Sequence, residues 1–291
     1  MKILILGSGG LIGSTITRYF FEETNHEVFG ILRDESKLSF FKNRFHKNIF
    51  INKNILDYCL LEKTIIKFLP NLIINCIGIT NKFINTSRIL NIDYLEINSL
   101  FPRTLLNICK RNNVRLIQFS SDCVFSGKRG FYSENDYPDP SDIYGKSKFL
   151  GELDCDECIT IRKSAIGHEI NSNNGLLEWF LGQNQSVNGY RNAIFSGVTV
   201  LELSKIINKY IIPNTDLKGI IHIASEPISK YNLLKIIAKE YKKDIKILPN
   251  DVLKIDRSLN ASFFNKLTGY KPKSWPKLVE SMNQFNMLHY V

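Results

Sequence analysis

The apolar run Ile3-Leu4-Ile5-Leu6 breaks directly into Gly7-Ser8-Gly9-Gly10-Leu11-Ile12-Gly13. Four consecutive aliphatic residues that end in glycines read as a strand buried on both faces, turning at once into a helix. In the G-x-x-G-x-x-G spacing, Gly7 permits a tight turn, Gly10 lets backbone approach a phosphate, and Gly13 brings helix against strand. The first helical turn, with Leu11 and Ile12, then presents its amides and the positive end of its dipole to an anion. In a plain βα turn the same glycines would serve only their φ angles. A dinucleotide is the expected ligand, with Gly7, Gly10, Leu11, Ile12 and Gly13 at its pyrophosphate.

Further apolar runs follow at Glu27–Leu32, Leu72–Ile77, Arg115–Phe119 and Ile159–Ile166. Segments of helical period, Leu11–Glu23, Leu60–Phe68, Asp93–Arg111 and Ile143–Leu153, lie between them. This alternation predicts an α/β fold with a doubly wound parallel sheet. After Ile166 the rhythm loosens, with polar loops expected at Asn171–Gly175 and Gly189–Asn192. Leu201–Ile212 and Tyr231–Lys242 read as helices and Gly219–Ala224 as one more strand. The expected division is a nucleotide-binding domain over 1–166, with a later return near 193–225. A smaller substrate-binding lobe of 167–192 and 226–291 would cover the carboxyl ends of the strands.

Tyr144 and Lys148 are four residues apart, which puts them on one helical face with Cβ atoms ~6 Å apart. A phenol titrates at ~10 in water, and a neighbouring ammonium is expected to bring it toward working pH as a general acid. Upstream, Phe119-Ser120-Ser121-Asp122-Cys123-Val124-Phe125 ends a strand-like run with a hydroxyl pair, and Ser121 is placed to hydrogen-bond a ketone oxygen. Ser121, Tyr144 and Lys148 are the candidate catalytic residues, for hydride transfer to or from a sugar-sized carbonyl. Alone, the Tyr-x-x-x-Lys spacing fits equally a helix with one snorkelling lysine.

For the cofactor, Arg33 follows the second strand, where a guanidinium suits the 2′-phosphate of NADP and a carboxylate would suit the ribose of NAD. Asp34 comes next, so NADPH is expected and NADH is the alternative. Asp57 is a candidate for the adenine edge, and Asn75-Cys76-Ile77-Gly78 for a course beside the cofactor. Loop polarity explains either equally well.

The formal charge of +10 over 291 residues fits an anionic nucleotide or nucleotide sugar. The basic residues are scattered, with no run of five or more, and no nucleic-acid partner is expected. Only four apolar residues follow Lys2 before glycine intervenes, too few for a secretory h-region. No stretch approaches the ~18 apolar residues of a membrane span. A cytoplasmic location with six reduced cysteines is expected. Cys155-Asp156-Glu157-Cys158 stands alone, without a second pair or a nearby histidine to suggest zinc or redox chemistry. His168, His222 and the Trp179-Phe180 pair are read as packing residues.

These motifs resemble the extended short-chain dehydrogenase/reductases, and specifically their dTDP-4-dehydrorhamnose reductase-like branch. The likeness is carried by the glycine turn, Asn75-Cys76-Ile77-Gly78, Asn98 in Leu95-Glu96-Ile97-Asn98, and Ser120 through Gly127. It continues through Tyr144-Gly145-Lys146-Ser147-Lys148, Gly151-Glu152 and Glu226 through Tyr231. It implies NADPH-dependent reduction of a 4-keto-6-deoxy sugar on dTDP or UDP, for surface polysaccharide synthesis. By that likeness Ser121 is the catalytic hydroxyl, Tyr144 the acid, and Lys148 also holds the nicotinamide ribose. The implied substrate-binding set is Thr80, Ser121, Asp122, Cys123, Tyr144 and Arg191. Some relatives form homodimers through magnesium, an arrangement compatible with this chain, although no acidic cluster demands the metal.

Two departures concern the sugar pocket. Cys123 stands where the branch has a tyrosine, and Ala165 where it has a tryptophan. The expectation is an enlarged pocket that admits a bulkier sugar, such as a UDP-acetamido sugar. Two rivals remain. A nucleotide-sugar epimerase or dehydratase could use this scaffold, but dehydratases resemble Thr-Asp-Glu where this chain has Ser121-Asp122-Cys123. A non-catalytic regulatory subunit, like the methionine adenosyltransferase accessory protein, would not need Ser121, Tyr144 and Lys148 intact.

Overall fold

The computed structural model describes residues 1–80, 91–170 and 173–289. Its centre is a seven-stranded sheet. In chain order the strands are β1 (Lys2–Leu6), β2 (Glu27–Leu32), β3 (Ile49–Ile51), β4 (Leu72–Asn75), β5 (Arg115–Phe119), β6 (Cys158–Lys163) and the edge strand Gly219–Ile223. Their spatial order is Gly219–Ile223, β6, β5, β4, β1, β2, β3, with every pair parallel. The chain moves outward from β1 to β3 and then returns to the far side of β1 at β4. That reversal opens a crevice at the carboxyl ends of β1 and β4, where α/β sheets bind ligands.

The unbroken apolar runs follow from burial on both faces. Ile3 and Ile5 join one core with Leu72, Ile74, Ile117 and Phe119. Leu4 and Leu6 join the other with Ile73 and Leu116. Helix α1 (Leu11–Glu23) and the helix Val200–Ile206 cover the first face. Helix α2 (Tyr58–Phe68) and the helix after residue 90 cover the second. Each buried Leu or Ile contributes about 1.5–3 kcal/mol, so a polar residue in β1 would be costly on either face.

The helix after residue 90 is interrupted. It runs as α3 (Asn91–Leu95), a π turn at Glu96–Leu100, and α4 (Phe101–Arg111). Asn98 lies in the π turn. Its side chain accepts from Ile79 N and donates to Ile79 O, both at 3.0 Å, and also donates to Ser147 Oγ at 3.0 Å. One amide thereby ties the segment leaving β4 to helix α5 (Ile143–Leu150).

The lobe has its own core around Leu177, Phe180, Phe195, Leu233 and Trp275. Gly189 and Tyr190 were expected in a loop but lie in the strand Val187–Tyr190, paired with Ile247–Asn250. Long-range pairing decides this, since the segment itself reads as a turn. Of the other expected loop, Asn171 and Ser172 lie outside the described residues, and Gly175 precedes the helix Leu176–Leu181. Ala193–Phe195 joins a small sheet with Ile228–Ser229 and Ile255–Asp256, so the return to the central sheet comes later than residue 193. The Cys155 and Cys158 sulfurs lie 3.2 Å apart where the loop after α5 enters β6. No helix among the described residues is long and apolar enough to cross a membrane.

Candidate active site

A cleft of about 650 Å³ opens at the carboxyl edge of the sheet, between it and the lobe. One wall is the glycine turn. Gly7 has φ +79°, and a Cβ built at Gly13 would stand 2.1 Å from the Gly7 carbonyl, so α1 reaches β1 only because residue 13 lacks one. Gly10 differs: a Cβ there meets only Gly7 O, at 3.6 Å. Gly10, Leu11 and Ile12 line the cleft. No side chain caps the start of α1, and its first turn has no acidic residue, which leaves the amides to an anion.

The floor is built from β4 and β5. Cys76, Ile77, Gly78 and Thr80 line it after β4, and Ser121, Asp122 and Cys123 after β5. Buried Asn75 holds the turn behind them, accepting from Ile77 N at 3.1 Å and donating to Gln118 Oε1 at 2.7 Å. Thr80 is exposed, and its carbonyl accepts from Tyr94 Oη at 3.0 Å. Ser121 accepts from Cys123 N at 3.1 Å and donates to Asp122 Oδ1 at 3.0 Å. Below it, Ser120 donates to Glu152 Oε1 at 2.6 Å, and Glu152 makes two 2.8 Å bonds with Arg162. This buried, fully paired network fixes the ends of β5 and β6; removing one partner would leave a buried charge uncompensated.

Tyr144 and Lys148 enter from α5. Asp142 caps this helix, accepting from Gly145 N at 2.7 Å. A Cβ on Gly145 would stand 2.2 Å from the Cys123 carbonyl, so the glycine after the tyrosine lets α5 press against the segment carrying Ser121. Lys148 is buried and donates to Phe119 O at 3.1 Å.

The electrostatics correct one expectation. Burial raises the Tyr144 phenol well above its ordinary value; the neighbouring Cys123 adds to this and the Ser121 hydroxyl opposes it. Lys148 is not among the largest influences on the phenol, and its Nζ donates to the Phe119 carbonyl. Burial, and next the charge of Lys163, lower the Lys148 ammonium to about 7. Tyr144 therefore carries its proton at neutrality, as a donor to an incoming carbonyl must.

Outside the glycine turn, three expected residues lie apart from the cleft wall. Arg33 is exposed at the end of β2. Asp34, its rival for the ribose, accepts from Ser36 N at 2.9 Å, so its carboxylate is engaged in capping. Lys37, which the sequence did not single out, crosses back to donate to Gly9 O at 2.8 Å. Asp57 is not at the wall; it caps α2, accepting from Leu60 N at 3.0 Å. Arg191 pairs through its Nε with Asp251 Oδ1 at 2.7 Å on the lobe surface, while its neighbour Tyr190 lines the cleft. A local reading could not have foreseen Asp251, sixty residues downstream.

Beside Cys123 stands Arg257, whose Nη1 lies 3.3 Å from Cys123 Sγ. Burial pushes the Cys123 thiol up to about 12, so it acts as a neutral wall. Trp179, read as a packing residue, is 38% exposed and lines the cleft together with Ala165. Lys163, Lys230 and Phe195 line it too. His168 contacts Glu178 at 2.6 Å and Tyr241 at 2.8 Å, and His222 contacts Tyr132 O at 3.1 Å; neither lines the cleft.

The family model described as the RmlD substrate binding domain matches residues 1–275. A dTDP-4-dehydrorhamnose reductase of Aggregatibacter actinomycetemcomitans is 27% identical over 250 residues, covering 82% of this chain and 79% of that protein. A probable low-salt glycan biosynthesis reductase, Agl14 of Haloferax volcanii, is 29% identical over 161 residues. There the match covers 52% of this chain and spans about half, 48%, of that relative. Among solved structures, a dTDP-4-dehydrorhamnose reductase of Bacillus anthracis in complex with NADP superposes with a TM-score of 0.78 at 20% identity. That likeness, covering 98% of this chain and 99% of the other, is one of fold.

Proposed function

The chain belongs to the RmlD substrate-binding domain family, and from that premise we propose that it is an NADPH-dependent reductase of a nucleotide-linked 4-keto-6-deoxy sugar. The observation that carries this reading is the convergence of Ser121, Tyr144, Lys148 and the glycine turn on one cleft. The residues fit the cofactor: Gly10 is open on its outer side, the amides of α1 face the cleft edge, and Arg33 and Lys37 supply positive charge beside the turn. When bound, NADPH supplies a hydride to the carbonyl carbon. Tyr144, kept protonated by burial, gives its proton to the carbonyl oxygen, and Ser121 hydrogen-bonds that oxygen and fixes its direction. Lys148, titrating near 7, orients the ribose and is able to hold or release a proton at neutrality. Trp179, Phe195 and Lys230 of the lobe line the same cleft as these groups.

The product would serve as a precursor for a surface polysaccharide. The triplet Ser121-Asp122-Cys123 offers no second carboxylate for proton abstraction, which weighs against a dehydratase. The test is NADPH consumption with a panel of enzymatically made dTDP- and UDP-linked 4-keto sugars, acetamido sugars included, with the product identified. Turnover of at least one at the keto carbon is expected. Failure on the whole panel by a protein that binds NADPH would overturn the reading.

A further inference from the structure

We propose that Lys163 sets the balance between the reduced and oxidised cofactor, repelling the positively charged oxidised nicotinamide and leaving the neutral reduced ring undisturbed. The assignment rests on the reductase reading and deepens it. Lys163 ends β6 and lines the cleft, with its side chain buried. Its ammonium stands 5.5 Å from the centroid of the Phe119 ring. Lys148 donates to the carbonyl of that same residue at 3.1 Å. Two cations thus converge on one strand end, two residues before Ser121.

The chemistry of ketone reduction accounts for Lys148, on the helix of Tyr144, but not for a second ammonium. Lys163 makes no hydrogen bond or ion pair among the described residues. The groups that face it are Asp122 and Cys123 after β5, Cys76 after β4 and Lys148 on α5. Asp122 accepts from Ser121 Oγ, and burial keeps both thiols protonated. No contact therefore neutralises Lys163, and in a cleft of low dielectric its charge acts at a distance. Burial lowers it to about 8, which leaves it charged at neutrality.

The groups already placed say what that charge meets. The glycine turn suits the pyrophosphate, and Ser121 and Tyr144 suit the ketone, so the hydride donor belongs between them, along Cys76, Ile77 and Gly78. Both cations border this floor. A Cβ on Gly78 would stand 3.0 Å from Lys148 Nζ, and Lys163 is influenced by Cys76. Hydride transfer carries an electron pair from the ring to the carbonyl carbon and leaves the ring positive. A cation here favours the neutral ring over the positive one. It thereby promotes loading of NADPH and release of NADP⁺, while making the hydride step itself harder.

The experiment compares the dissociation constants of NADPH and NADP⁺ for the full-length protein at about pH 6.5, where Lys148 and Lys163 are mostly protonated. The parent is expected to bind NADPH more tightly than NADP⁺. Lys163→Met should shrink the ratio of the two constants about fivefold or more, chiefly by tightening NADP⁺. Lys163→Gln, polar but uncharged, should do the same. A loss of packing alone would move both affinities together and leave the ratio in place. A ratio unchanged in the methionine variant, or a glutamine variant that keeps the parent ratio, would overturn the assignment. Failure of the parent to bind NADPH would overturn the reductase reading and this assignment with it. The titrations require no turnover, so failure of the keto-sugar panel would be a separate result.

Discussion

Lys148 Nζ donates to the carbonyl of Phe119 at 3.1 Å, so a buried ammonium ties the helix that carries Tyr144 to the strand end that carries Ser121. The proton donor and the hydroxyl that would orient the ketone are thus held by a third group. Tyr144→Phe removes the donated proton and leaves this tie intact. Turnover should fall by roughly 10²–10⁴-fold, with NADPH affinity and melting temperature little changed. Near-normal turnover of the phenylalanine variant would exclude Tyr144 as the acid.

The lowered Lys148 sets a pH dependence. Its ammonium is present below about 7 and is lost as pH rises, so kcat/KM for NADPH, which reports the free enzyme, should decline above about 7. The Lys163 charge contributes to that lowering. Lys163→Met should therefore move the decline to higher pH, and a profile left in place would show that Lys163 does not act on Lys148.

Lys163 also bears on stability. Its ammonium is buried beside the Phe119 ring, 5.5 Å from the centroid, and burial lowers it from 10.5 to about 8. The unfolded chain binds this proton more tightly, so the penalty is complete below about 8 and is relieved as pH rises toward 10.5. At 1.36 kcal/mol per pKa unit it amounts to at most about 3 kcal/mol. Thermal melts of Lys163→Met should show a gain over the parent at pH 7 that shrinks toward pH 10. A gain independent of pH would point to packing instead.

The glycines of the turn should separate in their effects. Gly13→Ala forces a methyl to 2.1 Å from the Gly7 carbonyl, so the β1–α1 packing must give way and the melting temperature should drop. Gly10→Ala meets nothing closer than 3.6 Å and should fold normally while raising KM for NADPH, because the methyl occupies the phosphate approach. Equal melting temperatures for the two variants would contradict this division.

Arg33 tests the choice of cofactor. With Asp34 engaged at Ser36 N, the cations on this edge are Arg33 and Lys37. Arg33→Ala should lower the preference for NADPH over NADH mainly through KM, by ten- to a hundredfold at about 1.5–3 kcal/mol for a charged hydrogen bond. An unaltered ratio would assign the 2′-phosphate to Lys37 or leave Arg33 a solvated surface charge.

What the sequence determined by itself is local. A strand, a tight turn and a helix need only a few residues to agree, so Lys2–Leu6, the glycine turn and Leu11–Glu23 are legible from composition and spacing. The same holds for the four-residue step from Tyr144 to Lys148, because helical geometry alone puts i and i+4 on one face. Parallel strands buried on both sides also announce themselves as unbroken apolar runs. What only the tertiary structure decided is who fills the other half of the cleft. Arg257 meets Cys123 from 134 residues away, Arg191 closes on Asp251, and Gly189 and Tyr190 become strand because Pro249 and Asn250 lie beside them. Such partners are chosen by the packing of the lobe on the sheet, and no short-range pattern encodes which distant side chain a small residue like Cys123 will leave room for.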